Sequence, residues 1–213
     1  MKTTLKPVYI LPGVIVLFFG ISACSPVRAK DNPQSSPIGV MRVNSKDATR
    51  DYAQLIARYR QAAEQGDAAA QYHLGVLYDN GQGTPQNYMT ALRWYQKAAD
   101  QGYAPAQFYL GIMYDFGKGT PQDYANAMIW YQKAADQGIA GAQNNLGYMY
   151  ATGKGVQRDD VQAMKWYMLA QDSGFTPAVK NLQDISQHAT LSQITHAHEL
   201  AQAWRLLHRA IRP

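Results

Sequence analysis

The segment GQGTPQNY at residues 81–88 returns as GKGTPQDY at residues 117–124, an offset of 36. The same offset relates Gln71, Gln107 and Gln143; Leu74, Leu110 and Leu146; Gly75, Gly111 and Gly147; Tyr78, Tyr114 and Tyr150; and Trp94, Trp130 and Trp166. A third copy of the turn, GKGVQRDD at 153–160, keeps its glycines and an acidic residue but loses the proline and the aromatic. A fixed period of this size marks stacked supersecondary units. Each unit buries its apolar face only against its neighbours, so the end units must differ.

Each period reads as two helices. In the second unit Ala106, Leu110, Gly111 and Tyr114 recur at helical spacing, and Gly117 and Gly119 end that helix. Asp123 then suits the N-cap of a second helix carrying Tyr124, Ala127, Trp130, Tyr131 and Ala134; Asn87 and Asp159 hold the same place in the other units. The loop glycines permit positive φ, and Pro85 and Pro121 favour an extended or turn entry before the cap. Gly75, Gly111 and Gly147, with Ala98, Ala134 and Ala170, are expected to let helix backbones approach, and the tryptophans to fill the space between successive pairs. Full units span about 68–103, 104–139 and 140–175. At the start, residues 51–67 align with a second helix but place Arg58 where the others have tryptophan. At the other end PAVKNLQDI begins like a first helix, with Gln183 replacing the glycine, and TLSQ at 190–193 gives a capping-box start for a last helix to about Leu207. The expected fold is all-α, with stacked antiparallel helix pairs over 47–188 and a capping helix over 189–213.

The pattern AxAQxxLGxxYxxGxGTPQxYxxAxxWYxKAA resembles the Sel-one-like repeat, a relative of the tetratricopeptide repeat, over roughly residues 51–186. The first two full copies match nearly throughout, and the third departs in its loop. The resemblance implies a right-handed α-solenoid and the role of an adaptor or assembly scaffold. The cysteine-rich branch of that family staples each repeat with a disulfide. This chain has one cysteine, so its stability must come from packing.

Residues 1–23 carry Lys2 and Lys6, an apolar run and then small residues up to Cys24, the layout of an export signal too short for a comfortable membrane span. Ile21-Ser22-Ala23-Cys24 resembles a bacterial lipoprotein signal. That resemblance implies a lipid on Cys24 and, with Ser25 rather than Asp following, an outer-membrane anchor facing the periplasm. Cleavage near Val27-Arg28-Ala29, giving a soluble secreted or periplasmic protein, and an uncleaved anchor remain open alternatives. Residues 24–46 lack helical periodicity and read as a flexible tether spanning on the order of 25 Å. Without residues 1–23 the formal charge falls from +5 to +3, and the basic residues do not cluster with stacking aromatics, so no nucleic-acid partner is indicated.

Catalytic signatures are weak. GKGT at 117–120 lacks the GxxxxGK[ST] spacing, and its twin GQGT has no lysine, so it reads as a turn. His196 and His198 form HxH on a helix, where i and i+2 diverge by ~200°, and no HExxH follows; no metal or cofactor is called for. Asp79 and Asp115, equivalent positions one repeat apart, would have to supply the carboxylates of a cell-wall-directed hydrolase, although repeat-imposed solvent exposure accounts for them more simply. The remaining candidates are a binding surface. Positions i, i+4 and i+7 of the first helices read Tyr72, Val76 and Asp79, then Phe108, Ile112 and Asp115, then Asn144, Tyr148 and Ala151. By similarity to tetratricopeptide domains this stripe is expected to line a concave face and anchor a protein or peptide partner, with a cell-wall polymer as the alternative ligand. Two bland readings compete: neighbouring first helices bury the stripe against each other, or the solenoid is a spacer with no ligand.

Overall fold

The computed structural model describes residues 48–211; the signal, the tether and Cys24 lie outside the described residues. Helices follow one another without strands among those residues: α1 Ala48–Glu64, α2 Ala68–Asn80, α3 Tyr88–Asp100, α4 Ala104–Phe116, α5 Tyr124–Asp136, α6 Ala140–Thr152, α7 Asp160–Asp172, α8 Thr176–Ser186 and α9 Leu191–Ile211. The pairs α2–α3, α4–α5 and α6–α7 form the full units, each packing on the next, so the all-α solenoid holds.

The repeated turn does what its residues dictate. Gly81, Gly117 and Gly153 take left-handed φ of 67°, 66° and 73° and terminate the first helices. Asn87, Asp123 and Asp159 accept the backbone N–H three residues on at 2.9 Å, starting the second helices. The second loop glycine is demanded twice over: Gly119 has φ 71°, and a Cβ there would lie 2.6 Å from the Tyr88 backbone of the preceding unit. At the far end the capping box forms, Gln193 N–H donating to Thr190 Oγ1 and Thr190 N–H to Gln193 Oε1. No described helix is long and apolar enough to cross a membrane.

The role of the in-helix glycines differs from the expectation. A Cβ on Gly75, Gly111 or Gly147 would sit 2.5–2.6 Å from ring carbons of Tyr95, Tyr131 or Tyr167. Each glycine is therefore a socket for a tyrosine ring of its own unit, which is wholly buried, rather than a point of backbone approach. The tryptophans do bridge units: Trp130 of α5 packs with Ala91, Tyr95 and Ala98 of α3, and Trp94 packs on the cluster of Leu55 and Tyr59 from α1. The last helix, α9, does not pair with α8. It packs on α7, buries Ala197 and Ala201, and sets Trp204 edge-on to Trp166.

Candidate functional site

The i, i+4, i+7 stripe of the first helices is a seam between units. Phe108, Ile112, Asn144 and Tyr148 are 6%, 5%, 0% and 9% exposed, so the expectation of an open stripe is corrected for them. The geometry supplies the reason: position 72 and its equivalents point at the next first helix. The Tyr72 ring lies 5.4 and 5.6 Å from those of Tyr103 and Tyr109. Phe108 fills the space over Gly141, where a Cβ would meet its ring at 2.9 Å. Asn144 accepts from Asn181 of α8 at 3.0 Å. Only Tyr72 and Val76 of the stripe keep partial exposure.

Asp79 and Asp115 are likewise buried, at 5% and 4%, against the expectation of solvent exposure. Each is tied to the socketed tyrosine of its own unit: Tyr95 Oη donates to Asp79 Oδ2 at 3.5 Å, and Tyr131 Oη to Asp115 Oδ2 at 3.2 Å. Burial raises the Asp79 carboxyl above its ordinary value, opposed by the Lys118 ammonium and the Tyr95 hydroxyl. Lys118 Nζ stands 3.8 Å from Asp79 Oδ1 and 5.1 Å from the Tyr88 ring centroid, so the lysine of GKGT links its unit to the one before. Lys154 repeats this one unit later. Burial works to lower its pKa, but the Tyr148 hydroxyl, Tyr124 and Asp115 hold it raised. The first loop has Gln82 in place of this lysine and the last unit Ala151 in place of the aspartate, so a charge stands only where a neighbour can meet it. Both carboxylates serve the stack, and neither lies in an open cleft where a hydrolase would use it.

Partly accessible on α2, on α4 and at the N-cap of α4 is a cluster of aromatic side chains that sequence reading did not assemble. Tyr72, His73, Tyr103 and Tyr109 are all partly exposed. His73 stacks on Tyr59 at 4.9 Å and meets Tyr72 at 5.2 Å, and Tyr109 stacks on Tyr95 at 5.5 Å. Burial pushes the Tyr72, Tyr103 and Tyr109 hydroxyls above their usual range. It also lowers His73, with Asp67 working against it, so the patch is uncharged at neutral pH. The sequence signal was present in Tyr103 and Tyr109, which flank position 108 but fall outside the i, i+4, i+7 set. His196 and His198 sit exposed on α9, with His196 Nδ1 3.5 Å from Glu199 Oε2. Among the described residues no group of three metal-ligating side chains converges.

Comparison with known proteins agrees with this architecture. The Sel1 repeat family model matches residues 59–67, 68–103, 104–139 and 140–174. No curated protein matches the chain. Among solved structures, c5321, a protective antigen of uropathogenic Escherichia coli strains displaying an SLR fold, is 38% identical with a TM-score of 0.68, over 71% of this chain and 32% of that one. A Sel1 repeat protein from Oxalobacter formigenes is 36% identical with a TM-score of 0.58, over 65% and 53% of the two chains. The matched region thus spans a third to a half of those longer proteins. Proteins of this repeat class are generally protein-interaction scaffolds, typically without enzymatic activity. With more than half of its residues matched by the family model, this chain belongs to the Sel1 repeat family.

Proposed function

We propose that the protein is a non-catalytic, envelope-tethered scaffold that binds a protein or peptide partner through the partly exposed aromatic side of α2 and α4. The observation that carries this reading is the Tyr72, His73, Tyr103 and Tyr109 cluster, held on a rigid repeat framework. Tyrosine offers a large amphipathic contact area with few rotors to freeze, and such side chains anchor protein interfaces. Val76 continues the surface. Asp79, Phe108, Ile112, Asp115, Asn144 and Tyr148, read from the sequence as contact residues, are buried in the stack. A photo-crosslinking side chain placed at Tyr109 or His73 in intact cells is expected to capture one partner. The same probe at Met89 or Ile129, exposed on second helices, is expected not to. Capture from Met89 and Ile129 alone contradicts the assignment of the face, and capture from none of the four favours a spacer.

The tether is the second half of the proposal and rests on the Ser22-Ala23-Cys24 context. Cys24→Ser is expected to abolish lipid labelling and release the protein from membranes. Membrane fractionation unchanged by that substitution, with no lipid on the wild type, contradicts it.

A further inference from the structure

Along the stack, aromatic rings carry the chain's own cations. Lys97, Lys133 and Lys165 stand 4.5, 4.0 and 4.2 Å from the ring centroids of Trp94, Trp130 and Trp166. Lys118 and Lys154 do the same at Tyr88 and Tyr124, at 5.1 and 5.2 Å. Such contacts are attractive because the face of an aromatic ring is the negative end of its quadrupole. The cluster on α2 and α4 breaks the pattern. Among the described residues no lysine or arginine lies over Tyr72, His73, Tyr103 or Tyr109, although all four are partly exposed.

Beside those rings stands a carboxylate. The N-cap position of the first helices reads Asp67, Tyr103, Ile139 and Phe175, and only Asp67 caps with its side chain, Oδ1 accepting from the Ala70 N–H at 2.7 Å. No described cation pairs with Asp67, whereas Asp79, Asp160 and Asp172 have Lys118, Arg158 and Arg205. Burial lowers His73 and raises Tyr103, and the Asp67 charge pushes both upward, so its field reaches the cluster. The helix dipoles do not cancel that field. The α1–α2 and α3–α4 turns each set a helix C-terminus beside an N-terminus, and the opposed ends offset one another. Open polar atoms complete the rim: the His73 ring nitrogens and the Tyr103 hydroxyl have no hydrogen-bond partner among the described residues, and Tyr103 is stacked on no ring, meeting Tyr72 alone at 49°. A guanidinium or ammonium group has the complementary form. Its charge suits the ring faces and the carboxylate, and its N–H groups suit Asp67 Oδ2, the Tyr103 hydroxyl and the unprotonated His73 nitrogen. We infer that this face receives a basic side chain of its partner, an arginine or lysine, against Tyr103 and His73 and beside Asp67. The inference rests on the aromatic face proposed above and adds the chemistry of what binds there.

The cap supplies a variant that removes the charge and keeps the fold. Asparagine caps as well as aspartate, as Asn87 does on α3, so Asp67→Asn is expected to melt with wild type. Asp159→Asn makes the same exchange at the N-cap of α7 and controls for net charge. Acetyl-Gly-Gly-Arg-Gly-Gly-amide is titrated into the full chain, alongside peptides with citrulline or glutamate in place of the arginine, and binding is followed by NMR at the His73 ring protons. Citrulline keeps the shape of arginine without its charge. The arginine peptide is expected to bind with a Kd of about 10 mM or tighter, and the other two at least about fivefold more weakly. Asp67→Asn is expected to weaken the arginine peptide at least about threefold, and Asp159→Asn to leave it unchanged. No binding of the arginine peptide by wild type, equal binding of the citrulline peptide, or equal losses from the two variants overturns the inference. Any of these, with a partner still captured in cells at Tyr109 or His73, removes the basic side chain and leaves the aromatic face standing.

Discussion

The residues that carry most information are those where one repeat departs from the others. Tyr95 and Tyr131 donate to buried aspartates, but Ala151 removes the acceptor from the third unit, and the Tyr167 hydroxyl is buried without a partner among the described residues. Tyr131→Phe leaves Asp115 without that donor and is expected to cost about 1–2 kcal/mol in urea unfolding, whereas Tyr167→Phe deletes an unsatisfied hydroxyl and is expected to be neutral or stabilising. Equal losses from the two substitutions contradict the pairing. The Asp79–Lys118 link adds a pH signature. Because burial raises the native Asp79 pKa above its unfolded value of about 3.9, the unfolded chain releases this proton first. The stability contribution of Asp79 is therefore full below that value and declines as pH rises through the native pKa. Removing the lysine deepens that decline. Lys118→Ala is expected to match wild type in acid and lose about 1–2 kcal/mol near pH 7. Melting curves at pH 4 and pH 7 check this, and a difference independent of pH rules the link out.

At the level of elements the sequence was almost transparent. The helix starts at Asn87, Asp123, Asp159 and Thr190, and the stops at Gly81, Gly117 and Gly153, were legible because capping is local chemistry written in one to four residues. What the helices do to one another was legible only in part. Gly111 announces a close approach but not its partner, since the ring of Tyr131 stands 20 residues away in sequence. The stripe of Phe108 and Ile112 was read as exposed because helical periodicity distinguishes faces without saying which face the next unit covers. The candidate site suffered most, since Tyr72, His73, Tyr103 and Tyr109 come together only once two units stack. Two glycine substitutions test the close contacts. Gly111→Ala drives a methyl against Tyr131 and is expected to cost about 1–3 kcal/mol. Gly119→Val combines a left-handed φ with a clash against the Tyr88 backbone and is expected to cost at least as much, measured by chemical denaturation.

For the whole molecule, stability is a sum over seams between successive units; a single cysteine allows no disulfide within the chain, and among the described residues no group of three metal-ligating side chains converges. Tyr72 against Tyr103 and Tyr109, Phe108 over Gly141, and Asn144 bonded to Asn181 show one seam position filled three ways. Because that position is spent on stacking, the proposed partner-binding surface is the aromatic side of the first helices beside it. The α9 helix turns back onto α7 and covers Trp166, ending an array that would otherwise expose the face meant for another unit. The most direct check is the unfolding free energy of Phe108→Ala. If Phe108 is seam, its loss leaves a cavity between the second and third units and costs about 3 kcal/mol, comparable with Trp130→Ala. A Phe108→Ala protein that unfolds within about 0.5 kcal/mol of wild type would show that this side chain faces solvent, and would return the stripe to the role of an open binding groove.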